Sequence, residues 1–359
     1  MRLQPLALRL ILPCALTGTA HATDVTTCTG VADDRARLAC YDAAAGRKAD
    51  DAPASNAAPA PAPATAPVAT TGALPPDPHP QDAFGLPRRE WGDDPLSSRW
   101  ELEADDKHGT FLFRPYKPSY ILPVRWSDAR NPTPTSPRLG TAATSGMLDS
   151  VEAKYQLSFK TKLWEGLFGR HGDLWLGYTQ QSSWQVYNKG NSSPFRETDY
   201  EPELMAVFRT NRDLGAGFRL RLLSIGLNHQ SNGRAGDLSR SWNRVMAQAG
   251  VERGDFSLIV RPWVRLHENA GNDDNADITH YLGHGDVQAV WRFSQQTLGL
   301  NLRGNPTAGR GSAGVDWSFP IHRNLKGYLQ VFSGYGETLI DYNHRQNVIG
   351  FGVSLVDWM

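Results

Sequence analysis

The sequence predicts an all-β protein: a twelve-stranded antiparallel transmembrane barrel behind a largely disordered N-terminal extension. Three observations carry this. From Thr110 onward, strand-length segments alternate apolar and polar residues, as the walls of a barrel do. No segment after the first residues is continuously apolar and mean hydropathy is negative, which excludes a helical membrane protein but not a barrel. Tyr, Trp and Gly are plentiful, as aromatic girdles and tight turns require.

The elements follow in order. Arg2 and Arg9 flank a short apolar run, Leu10 to Leu16, and Ala20-His21-Ala22 offers a small-x-small cleavage site, so residues 1–22 read as a secretory signal. Cys14 falls within that signal. Cys28 and Cys40 remain, in a small segment spanning 23–42, and export favours a local bridge between them. Residues 43–106 form an Ala/Pro-rich linker, with runs such as Ala57-Ala58-Pro59-Ala60-Pro61, and then a polar, irregular periplasmic segment. Residues 107–359 form the barrel domain. Its clearest strand is Val151 to Leu163, with Val151, Ala153, Tyr155, Leu157 and Phe159 on one face and Glu152, Lys154, Gln156, Ser158, Lys160 and Lys162 on the other. Similar segments lie near 111–123, 173–187, 199–210, 216–230, 242–252, 255–267, 284–293, 296–304, 312–319, 325–334 and 346–357. Short connections such as Arg253-Gly254 and Arg303-Gly304-Asn305 alternate with longer ones such as 188–198 and 270–279.

Acidic and basic residues balance at 37 each, so no basic excess points to nucleic acid. The chemistry-bearing stretch is Asn228-His229-Gln230-Ser231-Asn232-Gly233-Arg234. Side chains two apart on a strand share a face, so His229 and Ser231 are neighbours, together with Ile225 and Leu227. A serine needs a base to take its proton, and a histidine base needs a partner that orients its ring. Asn243, in phase on the next strand with Val245 and Ala247, fits that third role. An asparagine orients the imidazole without placing an isolated carboxylate at a lipid boundary.

That block, with Ser239-Arg240-Ser241-Trp242-Asn243-Arg244, resembles the outer membrane phospholipase A family. The likeness extends to Tyr178-Thr179-Gln180, Trp184-Gln185, residues 192–198 and Tyr200-Glu201-Pro202. It continues through Asn272-Asp273-Asp274-Asn275, Tyr335-Gly336-Glu337 and Ile340-Asp341-Tyr342-Asn343, covering roughly Phe111 to Trp358. The resemblance implies a calcium-dependent outer-membrane hydrolase cleaving sn-1 and sn-2 acyl esters of phospholipids and lysophospholipids. His229 is then the general base, Ser231 the nucleophile and Asn243 the residue orienting His229. It implies activation as a homodimer, with Ca2+ held by the Arg234 carbonyl, Ser239 and, in the dimer, Ser192. Gln180 matches a polar residue of the membrane-embedded dimer interface. Asp274 matches a ligand of a second calcium site, but Gly236 stands where some members carry the other acidic ligand, with Asp237 beside it. The chain also ends in Asp357-Trp358-Met359 rather than on an aromatic.

The chief alternative is a non-enzymatic porin or inactive barrel, for which Lys154, Lys160, Lys162, Arg219 and Arg221 would line the lumen. A soluble secreted β-domain with esterase activity and an adhesin are further alternatives. A His/Ser/Asn set on a lipid-facing wall has no use in a pore.

Overall fold

The computed structural model describes residues 25–44, 95–142, 147–167, 172–322 and 325–356. The expected signal, most of the Ala/Pro linker and the final three residues lie outside the described residues. The chain divides into two compact units, residues 1–75 and 76–359.

In the first unit a 3-10 helix, Val25–Gly30, precedes helix α1, Asp34–Ala44. Asp33 starts α1 by accepting the Ala36 N–H on its carboxylate at 2.9 Å. The helix buries none of its side chains. Cohesion comes instead from a disulfide between Cys28 and Cys40. Closing a loop of 12 residues stabilises such a piece by roughly 3 kcal/mol.

The second unit is built on twelve long strands among the described residues. They are β1 (Ser119–Ser127), β2 (Val151–Leu167), β3 (Gly172–Trp184), β4 (Phe195–Gly215), β5 (Phe218–Ser231), β6 (Ser241–Arg253), β7 (Phe256–Leu266), β8 (Gly285–Phe293), β9 (Gln296–Asn305), β10 (Arg310–His322), β11 (Leu325–Tyr335) and β12 (Arg345–Val356). Each pairs antiparallel with its neighbours in sequence, and β1 pairs with β12, so the sheet closes and the long strands leave no free edge.

The polarity of the cylinder is inverted relative to a water-soluble fold. Leu223, Ile225, Leu227 and Val264 are exposed on the outer wall, while Glu152, Lys154, Arg221 and Arg244 are buried inside. Several of the interior charges are paired. Arg125 meets Glu152 at 2.7 Å and Glu337 at 2.8 Å, and Lys154 meets Glu337 at 2.7 Å. Lys160 is held differently: its ammonium sits 3.1 Å from the centroid of the Trp100 ring and 4.8 Å from that of Trp175. Arg219 departs from expectation, lying exposed where β5 leaves its turn and bonding Asn211 at 3.3 Å.

Both mouths are filled. At the short-turn end the chain enters through helix α2, Pro95–Arg99, whose Leu96 N–H and Ser97 hydroxyl donate to the Glu252 carboxylate at 3.0 and 3.1 Å. Leu96, Trp100, Leu102 and Tyr116 then pack against Trp175, Met205, Val207, Leu222 and Ile259. Residues 95–102, expected as part of an irregular segment, thus belong to the barrel interior, because their spaced apolar side chains find partners on distant strands. At the opposite end, Trp242, Met246 and Trp263 meet Ile278 and Leu282 of helix α3 (Ile278–Leu282) and Leu339 and Tyr342 of the 336–344 loop. Between the plugs lies a polar cavity of about 240 Å³, lined by residues including Lys154, Glu201, Arg244, Arg261, Asp286 and Glu337.

Two local expectations are corrected. The segment near 111–123 divides into a short strand, Phe113–Pro115, against β2 and then β1, because Pro115 and Pro118 lack ladder donors. Arg303-Gly304-Asn305 lies within or at the end of β9, and the turn falls one step later, at Pro306–Ala308.

Candidate active site

Strands β5 and β6 are joined by the loop 232–240, and their register sets the site. Ile225 lies opposite Ala247, Leu227 opposite Val245, His229 opposite Asn243 and Ser231 opposite Ser241. This row forms the outer face, so His229, Ser231 and Asn243 sit on the apolar wall at the long-loop rim. His229 Nδ1 and Asn243 Oδ1 are 2.8 Å apart. An amide oxygen only accepts, so Nδ1 carries the proton and Nε2 keeps its lone pair, the tautomer a general base needs. The Ser231 hydroxyl stands two positions along the same face and makes no hydrogen bond among the described residues. Such bonds often tighten only when substrate arrives. Sequence reasoning passed over one member of this set: Asn243 Nδ2 donates to Glu268 Oε1 at 3.1 Å. Extending the alternation of β7 past Leu266 would have found it, since 264, 266 and 268 share a face.

The loop after Ser231 is braced by Asn232. Its Nδ2 donates to Glu197 Oε1 at 2.9 Å and to the Leu238 carbonyl at 2.8 Å. Its Oδ1 accepts from the N–H groups of Arg234 and Arg240 at 3.3 and 3.0 Å. Gly233 turns the chain with φ +62, and a Cβ there would meet the Tyr200 ring at 3.0 Å. Fully buried Arg240 donates to the carbonyls of Asp237, Ser239 and Thr135 at 3.0, 2.6 and 2.9 Å. The Arg234 carbonyl and Ser239 hydroxyl accept no bond among the described residues. They are hard, uncharged oxygens of the kind calcium takes, and water or a second chain would complete the shell.

The remaining predicted residues fall as follows. Ser192 lies in the neighbouring 185–194 loop at φ 56, its N–H bonded to the Lys189 carbonyl at 3.3 Å. Nothing within the chain joins it to Ser239 among the described residues. Asp274 is buried and its carboxylate is taken by Arg138, at 2.9 Å from Nε, while its carbonyl accepts from Ser136 at 2.5 Å. Asp237 is exposed, and Gly236 before it holds φ +67. No cluster of three or more His, Cys, Asp or Glu among the described residues is arranged to hold a metal. Gln180 lies on the outer face of β3, where it accepts from the Tyr178 hydroxyl at 3.2 Å and donates to Ser182 at 3.5 Å. In the 336–344 loop, burial pushes the Asp341 carboxyl up, but Arg196 and hydrogen bonds from Thr338 and Asn131 outweigh it and hold the group at about 2.

Residues 96–355 match the family model described as phospholipase A1. A Neisseria meningitidis relative bearing the phospholipase A1 description is 44% identical over 268 residues, covering 73% of this chain and 70% of the relative. Phospholipase A1 of Escherichia coli is 38% identical over 247 residues, 69% of this chain and 82% of that protein. Among solved structures, the calcium-bound dimer of the Salmonella typhi outer membrane phospholipase superposes with a TM-score of 0.63 at 38% identity, covering 70% of this chain and 94% of that one. The Escherichia coli outer membrane phospholipase A gives a TM-score of 0.62 at 36% identity, covering 69% and 95%.

Proposed function

Since the chain belongs to the phospholipase A1 family, an outer-membrane family of phospholipid-hydrolysing enzymes, we propose that its site hydrolyses sn-1 and sn-2 acyl esters with Ser231, His229 and Asn243. The observation that carries this is the 2.8 Å contact of His229 Nδ1 with Asn243 Oδ1 on the lipid-facing wall. Ser231 Oγ attacks the ester carbonyl while His229 Nε2 takes its proton. The imidazolium then protonates the departing glycerol oxygen, leaving an acyl ester on Ser231. Water, deprotonated by the same imidazole, attacks that ester and releases the fatty acid. Asn243 holds the ring in the base tautomer through both halves.

The Arg234 carbonyl and Ser239 hydroxyl would hold Ca2+, which when bound supplies positive charge to the oxyanion of the tetrahedral intermediate. Two ligands from one chain are few for this ion. Ser192 of a second copy, meeting the first across the Gln180 face, would add a further oxygen and make the homodimer the active form. Asp274 is assigned to its ion pair with Arg138 rather than to a second calcium site. The short-turn end, where α2 enters, would face the periplasm, and the N-terminal extension is assigned to the periplasm. A pore reading is disfavoured by the two filled mouths.

The test is hydrolysis of phospholipid vesicles by reconstituted barrel, with calcium or a chelator, for the native chain and Ser231→Ala. Loss of turnover in the variant and under chelation is expected. Turnover retained by Ser231→Ala would remove it as nucleophile, and calcium-independent turnover by monomers would remove the shared site.

A further inference from the structure

The amide of Asn243 has two ends of nearly equal shape, one an acceptor and one a donor. Only one way round serves the reaction. With Oδ1 toward His229, the ring carries its proton on Nδ1 and offers a lone pair at Nε2. With the amide reversed, Nδ2 would donate to Nδ1, the proton would move to Nε2, and the ring could not accept from Ser231. Contact with His229 alone does not choose between the two, because the imidazole can change tautomer to suit either.

The choice is made on the far side of the amide. Leu266, the last residue of β7, lies opposite Asn243 in the ladder, and Glu268 follows two positions later on the same outer side. Its Oε1 accepts from Asn243 Nδ2 at 3.1 Å. An ionised carboxylate only accepts, so the reversed amide would set two acceptors against each other. The negative charge also polarises the amide and strengthens Oδ1 as an acceptor, most of all when His229 becomes an imidazolium.

We propose that Glu268 is a positioning residue of the acyl-hydrolysis site, completing a relay His229–Asn243–Glu268 that spans β5, β6 and the end of β7 and fixes the productive tautomer of the base. This rests on the assignment of Ser231, His229 and Asn243 made above. It explains how a neutral asparagine does the work of a carboxylate: the charge is kept, one residue further from the imidazole, past the end of β7.

The experiment measures phospholipid hydrolysis in calcium-containing mixed micelles for Glu268→Ala and Glu268→Gln, each in the native and Asn243→Asp backgrounds, beside Ser231→Ala. A hydrogen bond to a charged group predicts a kcat about ten- to a hundredfold lower for Glu268→Ala, with KM unchanged. Glu268→Gln still accepts from Nδ2 but lacks the charge, and loses less. In the Asn243→Asp background the loss disappears, because a carboxylate then faces His229 directly and has no reversed form. Nitrogen-15 spectra of His229 show one neutral tautomer, protonated on Nδ1, in the native chain and a mixture in Glu268→Ala. Native turnover in Glu268→Ala, with Ser231→Ala inactive, overturns the proposal and leaves the triad standing. An equal loss in the Asn243→Asp background also overturns it, because Glu268 would then act through folding. Activity in Ser231→Ala rejects the assignment on which the relay rests.

Discussion

Replacing Asn232 with Ala tests how the rim holds its oxygens. The side chain makes four hydrogen bonds, to Glu197, Leu238, Arg234 and Arg240. Taking about 1 kcal/mol for each neutral bond and about 2 kcal/mol for the one to the carboxylate gives a gross loss of about 5 kcal/mol. The loop stands at the rim, where water can replace part of this, so about 2–3 kcal/mol remains. The barrel strands keep their own ladder, so the loss falls on the 232–240 loop and on the Arg234 carbonyl and Ser239 it presents. Turnover should drop about 30- to 160-fold at fixed calcium, and the calcium needed for half-maximal activity should rise. Heat-modifiable migration on a denaturing gel should stay as in the native chain. Native turnover at native calcium would refute the bracing argument, and loss of the heat-resistant band would show that Asn232 supports the barrel rather than the loop.

Other perturbations follow from the same structure. Ile225→Arg places a charge on the outer wall, where the side chain is 55% exposed, and should cost about 2–4 kcal/mol at bilayer depth; unchanged urea unfolding in vesicles would mean this face does not meet lipid. Gly226→Ala sets a Cβ 2.5 Å from the Leu204 carbonyl and should cost about 1–3 kcal/mol by the same assay. Asp341 titrates at about 2 against an ordinary 3.8, so its contribution is present above about pH 4 and is lost as the pH falls toward 2. That contribution is roughly 2 kcal/mol, and Asp341→Asn should flatten the acid limb of a stability-against-pH curve.

Alternation made most of the wall legible, because on a barrel strand every second residue reports which medium it meets. Val151 to Leu163 is the clearest instance, with its lysines and Glu152 indoors. The same rule placed His229, Ser231 and Asn243 on one outer row. It failed where contacts are non-local. Leu96, Trp100 and Leu102 sit in a polar stretch with no periodicity, and only the interior of a closed cylinder gives them partners. Nor does the run Leu339-Ile340 announce that its loop folds inward, where the Leu339 N–H reaches the Asp199 carboxylate at 2.9 Å. Glu268 lies two residues past the end of β7, where strand alternation ordinarily stops carrying information.

A hydroxyl that opens sideways from the wall of a cylinder is immersed in esters from the moment the chain is assembled. For a phospholipid hydrolase, the bilayer that surrounds the wall is also the medium that can carry the reactant. Under the proposed shared site, restraint would come from assembly: the Arg234 carbonyl and Ser239 hydroxyl of one chain would need an ion and a second copy to complete the catalyst. On that proposal, whatever brings a neighbour and an ion together at that rim would act as the ignition, and the lateral crowding of the membrane would become a control variable.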